Sequence, residues 1–140
     1  MEKFKLTRGE KAWILYDVGN SAFILLVSTI IPIYFNALAA GEGISDSDYL
    51  AAWGYAGSVS TLLVAVSSPL LGTLADRRNM KPILFVASLI LGALGCACLG
   101  FAWGWVSFLV IFVIAKVGYS SANVFYDAML PEITTESRMD

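Results

Sequence analysis

The 140-residue chain is 58% hydrophobic and 14% charged, and its mean hydropathy is +0.73. Soluble domains are roughly 45–50% apolar and about 25% charged, so this composition indicates a lipid environment. A net charge of −2 provides no basic surface for nucleic acid. The partners that we expect are the lipid bilayer, a small-molecule solute and other membrane helices.

The chain contains no histidine. It therefore lacks the commonest general base and the commonest metal ligand, and we predict no catalytic residues, no metal and no cofactor. The two cysteines, Cys96 and Cys98, are two positions apart on a predicted helix and do not face each other. We interpret them as packing residues rather than as a metal site or a disulfide. An enzyme is the least favoured class of function.

The first membrane span is predicted at about residues 12–38, after a polar and charged N-terminal segment. Thr7 and Glu10 have the spacing of a capping box at its start. No charge occurs over residues 18–41, a stretch that is too long for the apolar region of a signal peptide. It is long enough for the helix of about 20 residues that crosses a bilayer. We expect Pro32 to kink this helix.

Three further spans are predicted at about residues 48–74, 82–102 and 106–129. The second helix follows from a charge-free stretch over residues 49–75. The run over residues 82–126 is too long for a single crossing, and we divide it at Gly104, which permits a turn and has a tryptophan on each side. Pro131 is expected to end the fourth helix. The predicted fold class is an all-α integral membrane protein with about four transmembrane helices.

Lysine and arginine are distributed unevenly over the predicted connections. Eight of them lie in the N-terminal segment, the second connection and the C-terminal tail, and the first and third connections have none. The eight are Lys3, Lys5, Arg8, Lys11, Arg77, Arg78, Lys81 and Arg138. Cytoplasmic connections of membrane proteins are enriched in these residues. The two tails and the second connection are therefore predicted to be cytoplasmic.

Polar side chains form one stripe on the fourth helix and a second on the first. A charge at the centre of a membrane helix costs about 2.5–3.5 kcal/mol on translocon scales and usually faces a bundle interior or a water-filled cavity. We predict that these residues line a substrate or ion pathway: Asp17, Asn20, Ser21, Lys116, Ser120, Asn123 and Asp127. The alternative is that they are interhelical hydrogen-bonding residues with a structural role.

Lys116 is the most informative of these residues, because it lies about 15 Å along the helix from Tyr126 and thus near the bilayer midplane. A long lysine stem can bridge a modest difference in depth, so Asp17 is one predicted partner. Direct contact of Lys116 with an anionic group of the substrate is the other interpretation.

Two further patterns are interpreted as structural. Small residues recur every fourth position in the third helix, which is typical of a surface that lets another helix approach closely. They are Ser88, Gly92, Cys96 and Gly100. The tryptophan and tyrosine residues near span ends are expected to be interfacial anchors.

The second connection resembles the signature loop of the major facilitator superfamily. The matching residues are Gly72, Leu74, Ala75, Asp76, Arg77 and Lys81, and Asn79 and Met80 stand where glycine and arginine are usual. Asparagine tolerates the left-handed conformation, so we expect the turn to be preserved. The resemblance implies that Gly72, Asp76, Arg77 and Lys81 belong to a gating loop that holds the two halves of such a transporter together.

The segments around Trp13, Asp17 and Asn20, and from Phe125 to Glu132, are similar to the vacuole effluxer-like, autophagy-related branch of that superfamily. The resemblance implies a fold of twelve helices in two halves, with the first and fourth helices lining a central solute site. The four predicted helices would be helices 1–4 of that fold. The chain would then be an N-terminal fragment whose partners are helices 5–12 or another membrane subunit.

The function predicted from this resemblance is secondary active transport of a small solute by alternating access, with amino acid efflux as the suggestion of the branch. The location expected is the cell membrane rather than the vacuolar membrane. The alternative is a four-helix membrane protein that transports nothing and acts as a scaffold or assembly subunit.

Overall fold

In the computed structural model the chain forms four long helices. The structure describes residues 7–77 and 79–133, with side chains through Met129, so Lys3, Lys5, Arg78 and Arg138 lie outside the described residues. The helices are α1 (Arg8–Gly41), α2 (Asp46–Ala75), α3 (Met80–Leu99) and α4 (Trp105–Ile133). All four are long and apolar enough to cross a membrane. The predicted all-α membrane class is confirmed.

The first helix begins at Arg8 rather than near residue 12, because Thr7 and Glu10 form the predicted capping box. The Glu10 N–H donates to Thr7 Oγ1 at 3.2 Å, and the Thr7 N–H donates to Glu10 Oε2 at 2.7 Å. Near the middle of α1, residues Leu26–Ile30 form a π-helical turn. Pro32 follows this turn and has no N–H to bond the carbonyl four residues back, so the irregularity expected at this proline lies in the preceding turn.

The fourth helix is the centre of the bundle. Its buried side chains recur every three or four positions and include Phe108, Phe112 and Phe125. Phe35 of α1 is fully buried and stacks on Phe108, with the ring centroids 5.5 Å apart. Most large apolar side chains outside this core are exposed, as Leu15 is, which suits a protein surrounded by lipid rather than by water.

The closest approach of two helices is that of α3 and α4. A Cβ atom added to Gly118 would lie 2.5 Å from the backbone nitrogen of Gly92. A Cβ added to Gly95 would lie 2.7 Å from the Cβ of Ala115. The predicted ridge of small residues is therefore correct at Gly92 and wrong at Gly100, which is exposed, because the contact surface continues through Gly95.

Glu42 connects the two loops at the end of the bundle opposite the signature loop. The Trp105 N–H at the start of α4 donates to Glu42 Oε1 at 3.1 Å. A Cβ on Gly104 would lie only 2.9 Å from the same oxygen, so the approach of the carboxylate depends on this glycine. The contact supplies a negative group to a helix N-terminus, where it is stabilising.

Candidate functional site

Aromatic side chains join α1 to α4 along most of their shared length. Trp13 stacks on Tyr126 with ring centroids 3.5 Å apart, and Phe23 stacks on Tyr119 at 4.1 Å. The Tyr126 hydroxyl also donates to the Trp13 carbonyl oxygen at 3.3 Å. Trp13 and Tyr126, two of the aromatic residues near span ends, thus pack against each other. The sequence signal for this aromatic contact was the spacing of seven residues between Tyr119 and Tyr126, which places both rings on one face of α4.

Asn123, one of the predicted pathway residues, is hydrogen-bonded across this contact. The Tyr16 hydroxyl donates to Asn123 Oδ1 at 3.0 Å. At this position the polar stripe of α4 forms an interhelical hydrogen bond, which is the structural role given above as the alternative to lining a pathway. Sequence reasoning did not select Tyr16, although its place beside Asp17 in the first polar stripe was visible.

A cavity of about 250 Å³ lies where α1, α3 and α4 meet. Its lining is mostly apolar and aromatic and includes Tyr16, Phe23, Gly92, Cys96 and Tyr119. Asn20 is the predicted pathway residue that contributes to it. The Asn20 Oδ1 atom is buried and has no hydrogen-bond partner among the described residues. A buried acceptor of this kind is uncommon in proteins and calls for a partner.

Lys116 lies in a different place, in an open groove between α2 and α4. Its ammonium is close to Gly57, since a Cβ on that glycine would lie 3.7 Å from Lys116 Nζ. The predicted pair with Asp17 is absent, as no ion pair joins these two described residues.

The helix register explains why the pair does not form. Phe23 is opposite Tyr119, so in antiparallel helices Lys116, three residues before Tyr119, is level with position 26 of α1. Asp17 is nine residues below that level, which is about 14 Å at 1.5 Å per residue. The sequence estimate took the depth of each residue separately from the end of its own helix, and it gave too small a difference in depth between Lys116 and Asp17. A lysine side chain cannot span the difference found in the structure.

The other predicted pathway residues are more open. Asp17, Ser21 and Asp127 are exposed on the four-helix bundle, and Ser120 is half-buried beside the α1–α4 contact. Across the part of the chain that the structure describes, no group of three or more His, Cys, Asp or Glu side chains is placed to hold a metal ion.

The predicted gating loop is a tight turn between α2 and α3. Asn79 has a φ of 63°, in the left-handed region, so the turn expected despite the loss of glycine is confirmed. The Asp76 N–H donates to the Gly72 carbonyl at 3.1 Å and the Met80 N–H to the Arg77 carbonyl at 3.1 Å. The Asp76 side chain is exposed and is thus accessible to another segment of a larger protein.

Comparison with known proteins identifies similar sequences. A family model described as "Vacuole effluxer Atg22 like" matches residues 48–139. The uncharacterized MFS-type transporter YxiO of Bacillus subtilis (strain 168) is 36% identical over 139 residues, covering 97% of this chain and 32% of the relative. The chain thus spans about a third of the length of the curated relative that it matches. No solved structure gives a significant match.

Proposed function

This chain belongs to the vacuole effluxer Atg22-like family, a family of transporters rather than enzymes, and we propose that it forms the first four helices of a secondary transporter. In this proposal a small solute crosses the membrane by alternating access, and helices equivalent to 5–12 of the major facilitator fold complete the pathway. The chain is a multi-pass membrane protein by its helices and its family. The similarity to a bacterial protein supports the cell membrane over the vacuolar membrane.

One observation carries the proposal, namely the unpartnered Asn20 Oδ1 in the cavity between α1, α3 and α4. Ligand pockets are largely apolar and aromatic, with a few polar groups that fix the orientation of the ligand. The cavity of about 250 Å³ suits a small solute or one end of a larger one. A hydrogen-bond donor on the solute would satisfy the amide oxygen. Amino acid efflux, suggested by the family, meets this requirement through the amino group.

The remaining polar residues are proposed to extend the pathway. Asp17, Ser21 and Asp127 are exposed toward the cytoplasmic end of the bundle in the predicted orientation, and Ser120, Asn123 and Lys116 follow along α4. We propose that helices beyond this chain cover the exposed Asp17, Ser21 and Asp127, since polar side chains inside a membrane usually face a bundle interior or a cavity.

Counterflow in liposomes tests the proposal. The transporter carrying this sequence is reconstituted, loaded with unlabelled amino acids and assayed for uptake of a labelled amino acid mixture. Asn20→Leu, which removes the acceptor and fills part of the cavity, is expected to lower counterflow at least about tenfold. Asn36→Leu makes the same change at an exposed position of the same helix and is expected to leave counterflow within about twofold of wild type. Equal counterflow in wild type and Asn20→Leu would contradict the proposed pathway.

A further inference from the structure

The groove around Lys116 is a second polar site, separate from the cavity at Asn20. It is open and has a volume of about 560 Å³, and its lining includes Leu62 together with Gly54, Gly57, Ser58, Thr61, Ala65 and Lys116. The residues from α2 recur at intervals of three and four, so they share one face of that helix. Their small side chains leave room for the lysine head beside Gly57, where Nζ is 3.7 Å from the position of a Cβ.

The Lys116 ammonium has no counter-charge and no hydrogen-bond acceptor among the described residues. It is half-buried and lies eleven positions after the first residue of α4, about 17 Å along the helix and near the bilayer midplane. A lysine at that depth cannot reach the headgroups easily, and charged groups inside membranes are normally paired. The groove is therefore incomplete without an anion.

The hydroxyl groups of the groove complement such an anion indirectly. Ser58 Oγ donates to the Gly54 carbonyl at 2.9 Å, and Thr61 Oγ1 donates to the Gly57 carbonyl at 3.0 Å. Each hydroxyl has one proton, so both oxygens can offer only acceptor lone pairs to the groove. The described groove residues therefore supply one cation, the Lys116 ammonium, and two hydrogen-bond acceptors, the hydroxyl oxygens of Ser58 and Thr61.

This combination favours a single negative charge over a double one. A phosphate monoester carries a charge of about −1.5 to −2 at neutral pH and would leave much of that charge uncompensated. A carboxylate carries one charge and accepts charge-assisted hydrogen bonds from an ammonium. Donor groups next to the carboxylate could bind the hydroxyl oxygens.

We propose that Lys116 and this face of α2 form a subsite that binds a carboxylate group of the solute at a point of the pathway distinct from the Asn20 cavity, so that the two sites hold the solute in turn. This inference rests on the transport function proposed above. Lys116 supplies the charge, Gly57 supplies the space, and Ser58 and Thr61 accept hydrogen bonds from neighbouring donors. An acidic side chain from another segment of the transporter would offer the same chemistry.

Thermal unfolding of the purified transporter, followed by tryptophan fluorescence, separates these sources. The probes are a mixture of the standard L-amino acids, a mixture of small 2-hydroxy and 2-oxo acids, and the corresponding amides, which lack the negative charge. We expect at least one acid mixture to raise the unfolding midpoint of wild type by several degrees and the amides to leave it unchanged. Lys116→Ala is expected to lose the shift and Lys116→Arg to keep part of it. Lys11→Ala removes an equal charge at an exposed position and should keep the full shift.

Chemical rescue distinguishes the charge from a packing role. Lys116→Cys is made together with Cys96→Ala and Cys98→Ala and treated with aminoethyl methanethiosulfonate. The thiolate attacks the sulfenyl sulfur, a disulfide forms and methanesulfinate leaves, so an ammonium is rebuilt on a stem similar to that of lysine. This product is expected to recover the acid-dependent shift, whereas the neutral methyl reagent should not restore it.

Three results would overturn the subsite. Protection of Lys116→Ala by acids to the same extent as wild type would contradict it, and so would rescue by the neutral reagent equal to rescue by the charged one. A wild type that no acid mixture stabilises, together with a lower midpoint for Lys116→Ala alone, would identify an internal acidic partner instead. Loss of counterflow for every labelled solute, with the acid-dependent shift intact, would contradict the transport proposal and leave the carboxylate subsite standing.

Discussion

Tyr16 and Asn123 form the one hydrogen bond between two side chains that the described residues make from α1 to α4. Hydrogen bonds between membrane helices are modest, averaging about 0.6 kcal/mol and reaching about 1.7 kcal/mol. The surrounding aromatic stacks, such as Trp13 on Tyr126, add contact area at the same level. The bond therefore fixes the register of the two helices more than it stabilises them.

Removing this bond should cause a small and coupled loss of stability. We expect Tyr16→Phe and Asn123→Ala each to lower the free energy of unfolding by about 0.5–2 kcal/mol, and the double variant to lose less than the sum. The measurement is a titration with SDS in mixed micelles. Tyr34→Phe, at an exposed tyrosine of the same helix, is the control. Strictly additive losses would show that the two side chains do not interact.

Residue types on the polar stripes were predictable from the sequence, but their partners were not. Periodicity places Lys116 and Asn123 on one side of α4, and it says nothing about which helix that side contacts. The structure puts Asn123 against α1 and Lys116 against α2, because the two positions lie at different levels of the bundle. The pairing of Lys116 with Asp17 failed for the same reason.

At the scale of helices, the crossing of α3 on α4 is set by backbone contact at Gly118. A Cβ there would lie 2.5 Å from Gly92 N, and backbone atoms cannot move aside as a flexible side chain can. We expect Gly118→Ala to lower the free energy of unfolding by about 1–3 kcal/mol, as overpacking does. The same micelle titration measures it.

Gly19→Ala provides the matched comparison, because an added Cβ at that helical position meets nothing within 4 Å. Alanine is favoured over glycine in a helix by about 0.5–1 kcal/mol, so this variant is expected to be slightly stabilised. Changes in the free energy of unfolding that have the same sign and size in both variants would show that space at the crossing does not determine the effect of Gly118→Ala.

The α2–α3 turn is predicted to matter for cycling rather than for folding. Asp76 is exposed, and a carboxylate accepts charge-assisted hydrogen bonds that an amide cannot match. Asp76→Asn in the transporter should insert and express normally but slow counterflow about tenfold or more. Asp46→Asn, at an exposed acid in the first turn of α2 at the opposite end of the bundle, should slow it far less. Normal counterflow in Asp76→Asn would show that this loop sets the orientation of the chain in the membrane and has no role in the transport cycle.

The helices themselves were largely predictable, and their ends were not. Charge-free stretches of more than about 20 residues identify spans, and Thr7 and Gly104 indicated two of their borders. α3 ends at Leu99 instead of residue 102, and the start of α4 at Trp105 is capped by Glu42 from a distant loop. A long-range contact of this kind leaves no periodic trace in the sequence.

For the molecule as a whole, the charge distribution predicts the orientation in the membrane. With eight basic residues on one side and none on the other, the turn at Asn79 is expected inside and the start of α2 at Ser47 outside. Single cysteines at these two positions, in a chain with Cys96→Ala and Cys98→Ala, are labelled in intact cells with an impermeant maleimide. Ser47→Cys should react and Asn79→Cys should not.

Ser47 is preferable to Ser45 for this purpose, because the Ser45 hydroxyl caps α2 by accepting from the Asp48 N–H at 3.3 Å. At Asn79 a cysteine adopts a left-handed conformation at a cost of about 1–2 kcal/mol, which is small beside the free energy of inserting four apolar spans. Labelling of Asn79→Cys from outside would show that the chain has the opposite orientation.

The packing of α3 on α4 bears on how the chain enters the membrane during translation. The two helices are joined by the short segment between Leu99 and Trp105, and they meet through glycine backbones without intervening side chains. Such a pair can associate as soon as the ribosome has released α4, whereas α1 and α2 must wait for the same helix to supply their main partner surface. We therefore expect the α3–α4 hairpin to be the unit around which the earlier spans assemble, and faults at Gly92 or Gly118 to act on biogenesis before any solute is bound.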